Sequence, residues 1–153
     1  MPLGRDYATQ ACSLARSLEV VGERWTLLIL RDAFLGLRRF DDFQRSLGVA
    51  RNVLADRLDR LVEAGVFERV RYTERPPRFE YRLTERGRDL YPVLFGLMRW
   101  GDKHAAPNGP PRVVLHRGCG GTPDDHLVCA KCGESLSVGQ LETRARPGVE
   151  VEA

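Results

Sequence analysis

No apolar run in this sequence approaches the roughly 18 residues a bilayer-spanning helix needs, so no such helix is expected. The opening stretch MPLGRDYATQ lacks the apolar core of a secretory signal, and the expected compartment is the cytoplasm. Histidine is scarce: His104, His116 and His126, all late in the chain. No nucleophile–base pairing, phosphate-cradling glycine loop or paired-carboxylate signature accompanies them, so the sequence reads as a non-enzyme. There are only four cysteines, and Cys12 lies far from the other three. That distribution argues against a disulfide scaffold and for metal or redox chemistry. Lysine is nearly missing, with 2 against 22 arginines, so the positive charge is almost all guanidinium.

What is present suits a soluble globular chain. Its 153 residues can build one domain with a core plus an appendage, and 29% charged against 42% hydrophobic residues is an ordinary balance. The net charge of +3 is uneven. Residues 1–104 carry 19 Lys and Arg against 15 Asp and Glu, and residues 105–153 carry 5 against 6. Positive charge concentrates between residues 69 and 82, where five arginines meet two glutamates.

Periodicity divides the chain. In CSLARSLEVVGERW (12–25), Leu14, Leu18 and Val21 recur at helical spacing and Gly22 is a natural stop. ERWTLLILRDAFLG (23–36) is apolar on most faces, which predicts a central, buried helix closed by Gly36. RRFDDFQRSLG (38–48) sets Phe40, Phe43 and Leu47 on one stripe. After Gly48, Leu54, Leu58, Leu61 and Val62 form the buried stripe of a further helix that Gly65 ends. Two short helices joined by about three residues around a glycine read as a helix-turn-helix. VFERVRYT (66–73) and RFEYRL (78–83) then read as paired strands, the second alternating Phe79, Tyr81, Leu83 with Arg78, Glu80, Arg82. The segment between them predicts a lengthened, stiffened, charged tip, because a tight hairpin would use Asn-Gly or Asp-Gly. From Thr84, a plausible cap, to His104 the pattern is helical, with Pro92 marking a kink or a restart. This helix is apolar on more than one face and needs cover from a second subunit. APNGPP (106–111) is the clearest linker, giving a domain over 10–104, a linker over 105–111 and a small tail over 112–140. Residues 141–153 are expected to be disordered.

The order helix, helix, turn, helix, hairpin, helix predicts a mainly α (α+β) winged helix-turn-helix with a two-stranded wing and a small Cys-rich C-terminal tail. In that architecture the second helix of the motif, about residues 50–64, enters the major groove and the hairpin flanks it. The basic wing, 72–82, then has a use: Arg75 and Arg78 reach phosphate or an adjacent minor groove. With Leu54 as the buried direction, Asn52, Asp56, Asp59 and Glu63 face outward, and three of those are acidic. Only the start of the helix can therefore go deep, so Arg51 and Asn52 are the expected base contacts, to guanine and adenine respectively. Arg38 and Arg39 are phosphate candidates opening the preceding helix, while Arg57 lies nearer the buried flank.

These pieces together resemble the HxlR-type winged-helix transcriptional regulators over roughly residues 10–104. The resemblance rests on Cys12 standing 13 residues before the tryptophan of GERW, and on LLIL, RRFDDFQRSLGV, VLADRLDRLVEAGV, the proline-containing wing ending EYRLTERG, and LMRWG. It implies a homodimer joined by its N- and C-terminal helices and an operator with two-fold character. It also implies that Cys12 is a candidate sensor of oxidants or electrophiles, since a helix start favours a reactive thiolate. The chain departs from the family's usual Ser and Lys or Arg at Ala50 and Asn52. Without the serine, a helix cap is missing.

The tail goes beyond that resemblance. His116-x2-Cys119-Gly and Cys129-x2-Cys132-Gly are two similar knuckles. Each can turn two ligands inward, and together they offer the Cys3His set of one structural zinc per chain, with His126 as a substitute for His116. A redox Cys-x2-Cys pair and a strand pair with free thiols are the competing readings. For the whole chain, the leading function is a homodimeric DNA-binding transcriptional regulator answering a small-molecule or redox effector. The alternative is a winged-helix plus zinc-ribbon protein-interaction module of the transcription machinery.

Overall fold

A computed structural model describes residues 7–149 of the chain. In order it contains α1 (Ser13–Val21), α2 (Thr26–Phe34), α3 (Phe40–Leu47), α4 (Arg51–Glu63), β1 (Phe67–Glu74), β2 (Pro77–Leu83) and α5 (Glu85–Arg88). These are followed by α6 (Tyr91–His104), β3 (Arg112–His116), a 3-10 turn (Val138–Gln140) and β4 (Leu141–Ala145). The chain divides into two compact units, one ending at Gly87 and one beginning at Arg88. The expected linker at 105–111 falls inside the second unit, and the long helix before it belongs with the tail.

In the first unit α2, α3 and α4 pack in succession and α4 lies against β1. Leu54, Leu58 and Leu61 are buried along one side of α4, as the stripe predicts, and each such side chain contributes about 1.5–3 kcal/mol by leaving water. Phe43 of α3 meets Phe67 of β1 with ring centroids 6.3 Å apart, and Phe67 meets Tyr81 of β2 at 6.4 Å. Those contacts tie helix pair to hairpin. Gly48 adopts φ +63° between α3 and α4, a left-handed turn that a side chain would strain. The helix expected over 23–36 is shorter and less enclosed. Trp25 takes φ +81°, so α2 starts at Thr26. Ile29 and Leu30 are fully buried, but Leu28 and Leu35 keep 40% and 38% exposure. The segment is therefore one-sided rather than buried on most faces.

β1 and β2 pair antiparallel from Phe67–Leu83 to Glu74–Pro77, with an irregularity between Arg71 and Thr73. Phe79, Tyr81 and Leu83 do share the inner face. The tip corrects the expectation of a lengthened connection. Glu74 already pairs with Pro77, so only Arg75 and Pro76 link the strands, through a cis peptide bond. A cis proline in the third position of a tight turn replaces the Asn-Gly chemistry. Thr84 caps α5: its hydroxyl accepts from the Gly87 N–H at 3.1 Å and donates to the Gly65 carbonyl at 2.6 Å. The expected helix over 84–104 is thus two. Pro92 sits in the first turn of α6, where its missing N–H costs nothing, so it marks a restart.

The second unit has its own small core of Phe95, Val114, Cys129, Leu136 and Leu141, with Tyr91, Met98, Cys119 and Leu127 against it. β3 and β4 pair antiparallel from Arg112–Ala145 to His116–Leu141. Disorder over 141–153 is therefore corrected for Leu141–Ala145, because Leu141 is buried and the strand has a partner. Residues 150–153 lie outside the described residues, as do the first six residues of the expected non-signal N-terminus. The proline-rich segment is pinned: Arg146 donates from its backbone N–H to Pro111 O at 2.9 Å and from its guanidinium to Asn108 O at 2.6 Å.

Candidate nucleic-acid interface and Cys-His centre

The exposed start of α4 follows from its cap. Ala50 occupies the N-cap with no side-chain hydrogen bond, so the first-turn N–H groups keep their positive end open. Arg51 and Asn52 are both exposed there. Arg51 leans back on α3, with its guanidinium 3.1 Å from Asp41, 2.9 Å from Gln44 Oε1 and 4.6 Å from the Phe40 ring centre. Exposed pairs of this kind are weak and exchange readily for phosphate or base. Farther along α4, Arg57 is only 18% exposed and bridges Asp56 and Glu23, while also donating to the Arg24 carbonyl. It holds α4 to the chain before α2, a structural task.

Arg39 opens α3 as its N-cap, in extended conformation, and Arg38 precedes it. Both also join the wing: Arg39 bridges Glu80, and Tyr81 donates its N–H to Arg38 O at 2.7 Å. The Arg39 guanidinium lies 4.7 Å from the Tyr72 ring centre and 4.0 Å from Glu80. The sequence signal for this third rung is too short to read, because one bridge leaves no periodicity.

Within the wing the arginines differ. Arg71 pairs with Glu74 at 3.1 Å and Arg82 with Glu80 at 3.0 Å. Arg69 covers the Phe79 ring at 4.4 Å. Burial pushes the Tyr81 phenol up, with Arg69 opposing and Asp59 adding to the rise. Arg75 and Arg78 are exposed at the tip and enter no ion pair among the described residues. Near the start of the described chain, Cys12 is the exposed N-cap of α1, its Sγ accepting from the Ala15 N–H at 3.3 Å.

In the second unit His116, Cys119, Cys129 and Cys132 come together, their ligand atoms all within 4.8 Å of one another. The group could hold a metal ion. His126 is not among them; its N–H donates to Asp124 Oδ1 at 2.8 Å in a turn. There the Val128 and His126 N–H groups hold the Asp124 carboxyl below its usual value. The glycines of both knuckles, Gly120 and Gly133, take φ +70° and +76°, the bend the spacing predicts. Cys129 is buried, and N–H groups of Cys132 and Lys131, with Cys119 and His116, hold its thiol down to about 6 against the opposing effect of burial. For Cys132 the Glu134 N–H pulls downward, but burial and the Cys129 and Cys119 sulfurs outweigh it and raise the thiol. Sequence reading missed Glu134, whose carboxylate stands 3.6 Å from His116 Nε2. Its position two residues past Cys132 was the available signal.

Comparison with known proteins matches residues 20–109 to the HxlR-like helix-turn-helix family. The uncharacterized HTH-type transcriptional regulator Rv3095 of Mycobacterium tuberculosis is 48% identical over 141 residues, covering 92% of this chain and 89% of that one. The crystal structure of PA1607, named as a candidate transcription factor, aligns with TM-score 0.70 at 42% identity, covering 85% of this chain and 92% of that one. The redox regulator HypR in its reduced form aligns with TM-score 0.59 at 29% identity, covering 62% of this chain and 95% of that one.

Proposed function

The chain belongs to the HxlR-like helix-turn-helix family of transcriptional regulators, and from that premise we propose how it engages DNA. The family and its relatives are regulators rather than enzymes. The chain works as a homodimer on an operator with two-fold character. Each α4 enters a major groove by its first turn, where Arg51 reads guanine and Asn52 reads adenine. Arg75 and Arg78 at the wing tip, with Arg38 and Arg39 at its edge, take phosphate or the neighbouring minor groove. The carrying observation is the charge sorting on the wing: Arg71 and Arg82 are paired within the hairpin, whereas Arg75 and Arg78 at its end enter no ion pair among the described residues.

Exposed apolar side chains support a second copy as partner. α1 leaves Leu14 69% exposed and α6 leaves Val93, Leu97 and Trp100 50%, 52% and 62% exposed along one stripe. Stripes of that kind need cover. Cys12, exposed at a helix cap, is the reading for a redox or electrophile effector, supported by the likeness to a protein named a redox regulator. The Cys-His cluster is read as one structural zinc per chain. As a regulator of genes the protein acts beside the chromosome, in the cytoplasm. Selection of bound sequences from a random duplex pool tests the reading. An inverted repeat with half-sites about 10–10.5 base pairs apart supports it. Failure to enrich any sequence, with affinity independent of salt, refutes it in favour of the protein-interaction module.

A further inference from the structure

Resting on the zinc reading, we propose that His116 ligates the metal through Nδ1, that Glu134 is the positioning residue for its imidazole, and that the filled centre is the floor on which α6 folds. The distances carry the first part. His116 Nδ1 lies 3.3 Å from Cys119 Sγ and 3.5 Å from Cys132 Sγ, and Cys119 Sγ lies 3.4 Å from Cys129 Sγ. Zn–S bonds of about 2.3 Å and Zn–N bonds of about 2.0–2.1 Å in a tetrahedron put ligand atoms roughly 3.5–3.8 Å apart. These three separations stand near that spacing, and all four atoms lie within 4.8 Å of one another. A disulfide would need sulfurs about 2.05 Å apart and would strand the third thiol and the imidazole.

The other ring nitrogen faces away from the sulfurs. Nε2 lies 3.6 Å from Glu134 Oε2, a small side-chain rotation short of a hydrogen bond. A Cβ placed on Gly118 would sit 3.0 Å from Nε2, so the backbone closes that side. Glu134 is itself held, its Oε1 accepting from Gln140 Nε2 at 2.8 Å. A carboxylate on the distal nitrogen fixes the tautomer that leaves Nδ1 free to bind metal. The cradle is also cut to size: a Cβ on Gly121 would lie 2.6 Å from Cys129 Sγ and 3.3 Å from Cys119 Sγ. With four protein ligands the centre is closed, the form of a structural rather than catalytic zinc.

The floor follows from the core. Phe95 is the buried residue of α6, and it shares its cluster with Cys129, Val114, Leu136 and Leu141. A cluster of five buried apolar side chains among the described residues is small for a unit of this size, which needs a staple. A metal joining the end of β3 to both knuckles supplies one directly beneath α6. Its loss would release the helix whose outer stripe is read as meeting the second copy.

The test uses the full chain, stripped with chelator and titrated with Zn²⁺ or Co²⁺. One metal per chain is expected, with the cobalt spectrum of a tetrahedral thiolate site. Glu134→Gln should weaken metal affinity about 10–100-fold while leaving that spectrum unchanged. In a His116→Cys background, which keeps four ligands, Glu134→Gln should have no further effect. Amide exchange across α6 should be slow with metal and fast without it. Absence of bound metal in the unaltered chain would sink the zinc reading and this inference together. Metal bound with unchanged affinity in Glu134→Gln would remove the positioning role alone. Equal α6 exchange with and without metal would remove the floor alone.

Discussion

Replacing Arg75 and Arg78 with alanine is the sharpest test of the wing. Both are exposed and neither enters an ion pair among the described residues, so folding stability should move by less than about 0.5 kcal/mol. A homodimer with these contacts would lose four phosphate neutralisations, lowering the slope of log affinity against log salt by about 3.6. Between 50 and 200 mM salt the unaltered protein should then lose about 150-fold more affinity than the variant. Fluorescence anisotropy on a labelled duplex, repeated across that salt range, reads the slope directly. Arg71→Ala with Arg82→Ala is the matched control, since those two guanidiniums are engaged by Glu74 and Glu80. The control should change the slope far less. An unchanged slope in the tip variant, or an equal change in both variants, would refute tip contact.

The remaining predictions concern α4 and its surroundings. Ala50→Ser should restore a helix cap and raise stability by about 1 kcal/mol, read as a higher urea midpoint; no gain would mean that the Ser hydroxyl does not reach the first-turn N–H groups. Thr84→Ala should cost about 1–2 kcal/mol in the same assay, because it removes the cap of α5 and a donor to Gly65 O. Asn52→Ala should change the preferred base at one position of each half-site more than it changes bulk affinity; a uniform loss across sequences would make it a positioning contact. Asp59→Asn with Glu63→Gln should tighten binding to all duplexes alike and steepen the salt dependence, and unchanged affinity would show that this end of α4 stays clear of phosphate.

Much of the first unit was legible because its signals are periodic. The α4 stripe, the Phe79–Tyr81–Leu83 alternation and the glycines closing α3 and α4 each map onto an element directly. What escaped were single events. Trp25 in left-handed conformation delays α2, and one bridge from Arg39 to Glu80 adds the two arginines at the start of α3 to the wing edge. The tip was misjudged because the chemistry expected of a tight turn is Asn-Gly, and a cis proline achieves the same reversal. In the tail, knuckle spacing brought the four ligand residues within sight, because a glycine in left-handed conformation after each pair is a local requirement. β4 was missed because ETRARPG is polar and short, and its pairing with β3 lies about 30 residues away in sequence. Glu134 was invisible for the same reason: only the folded knuckle brings it to His116.

In the proposed docking, charge along the outward side of α4 sets the direction. Asp56 is neutralised by Arg57 and Arg60, so it contributes little field of its own. Asp59 and Glu63 enter no ion pair among the described residues, and both are exposed. The far end of the helix therefore repels phosphate, while the near end carries Arg51 and the uncapped N–H groups. A helix charged in this way lowers its energy by tilting, first turn inward and last turn away from the groove. Loss of the usual serine at residue 50 fits this picture: leaving the first-turn N–H groups without a side-chain partner weakens the isolated helix but keeps donors available for a phosphate oxygen. In the proposed complex a phosphate oxygen takes those donors, which would make the start of α4 more dependent on its operator than a capped helix.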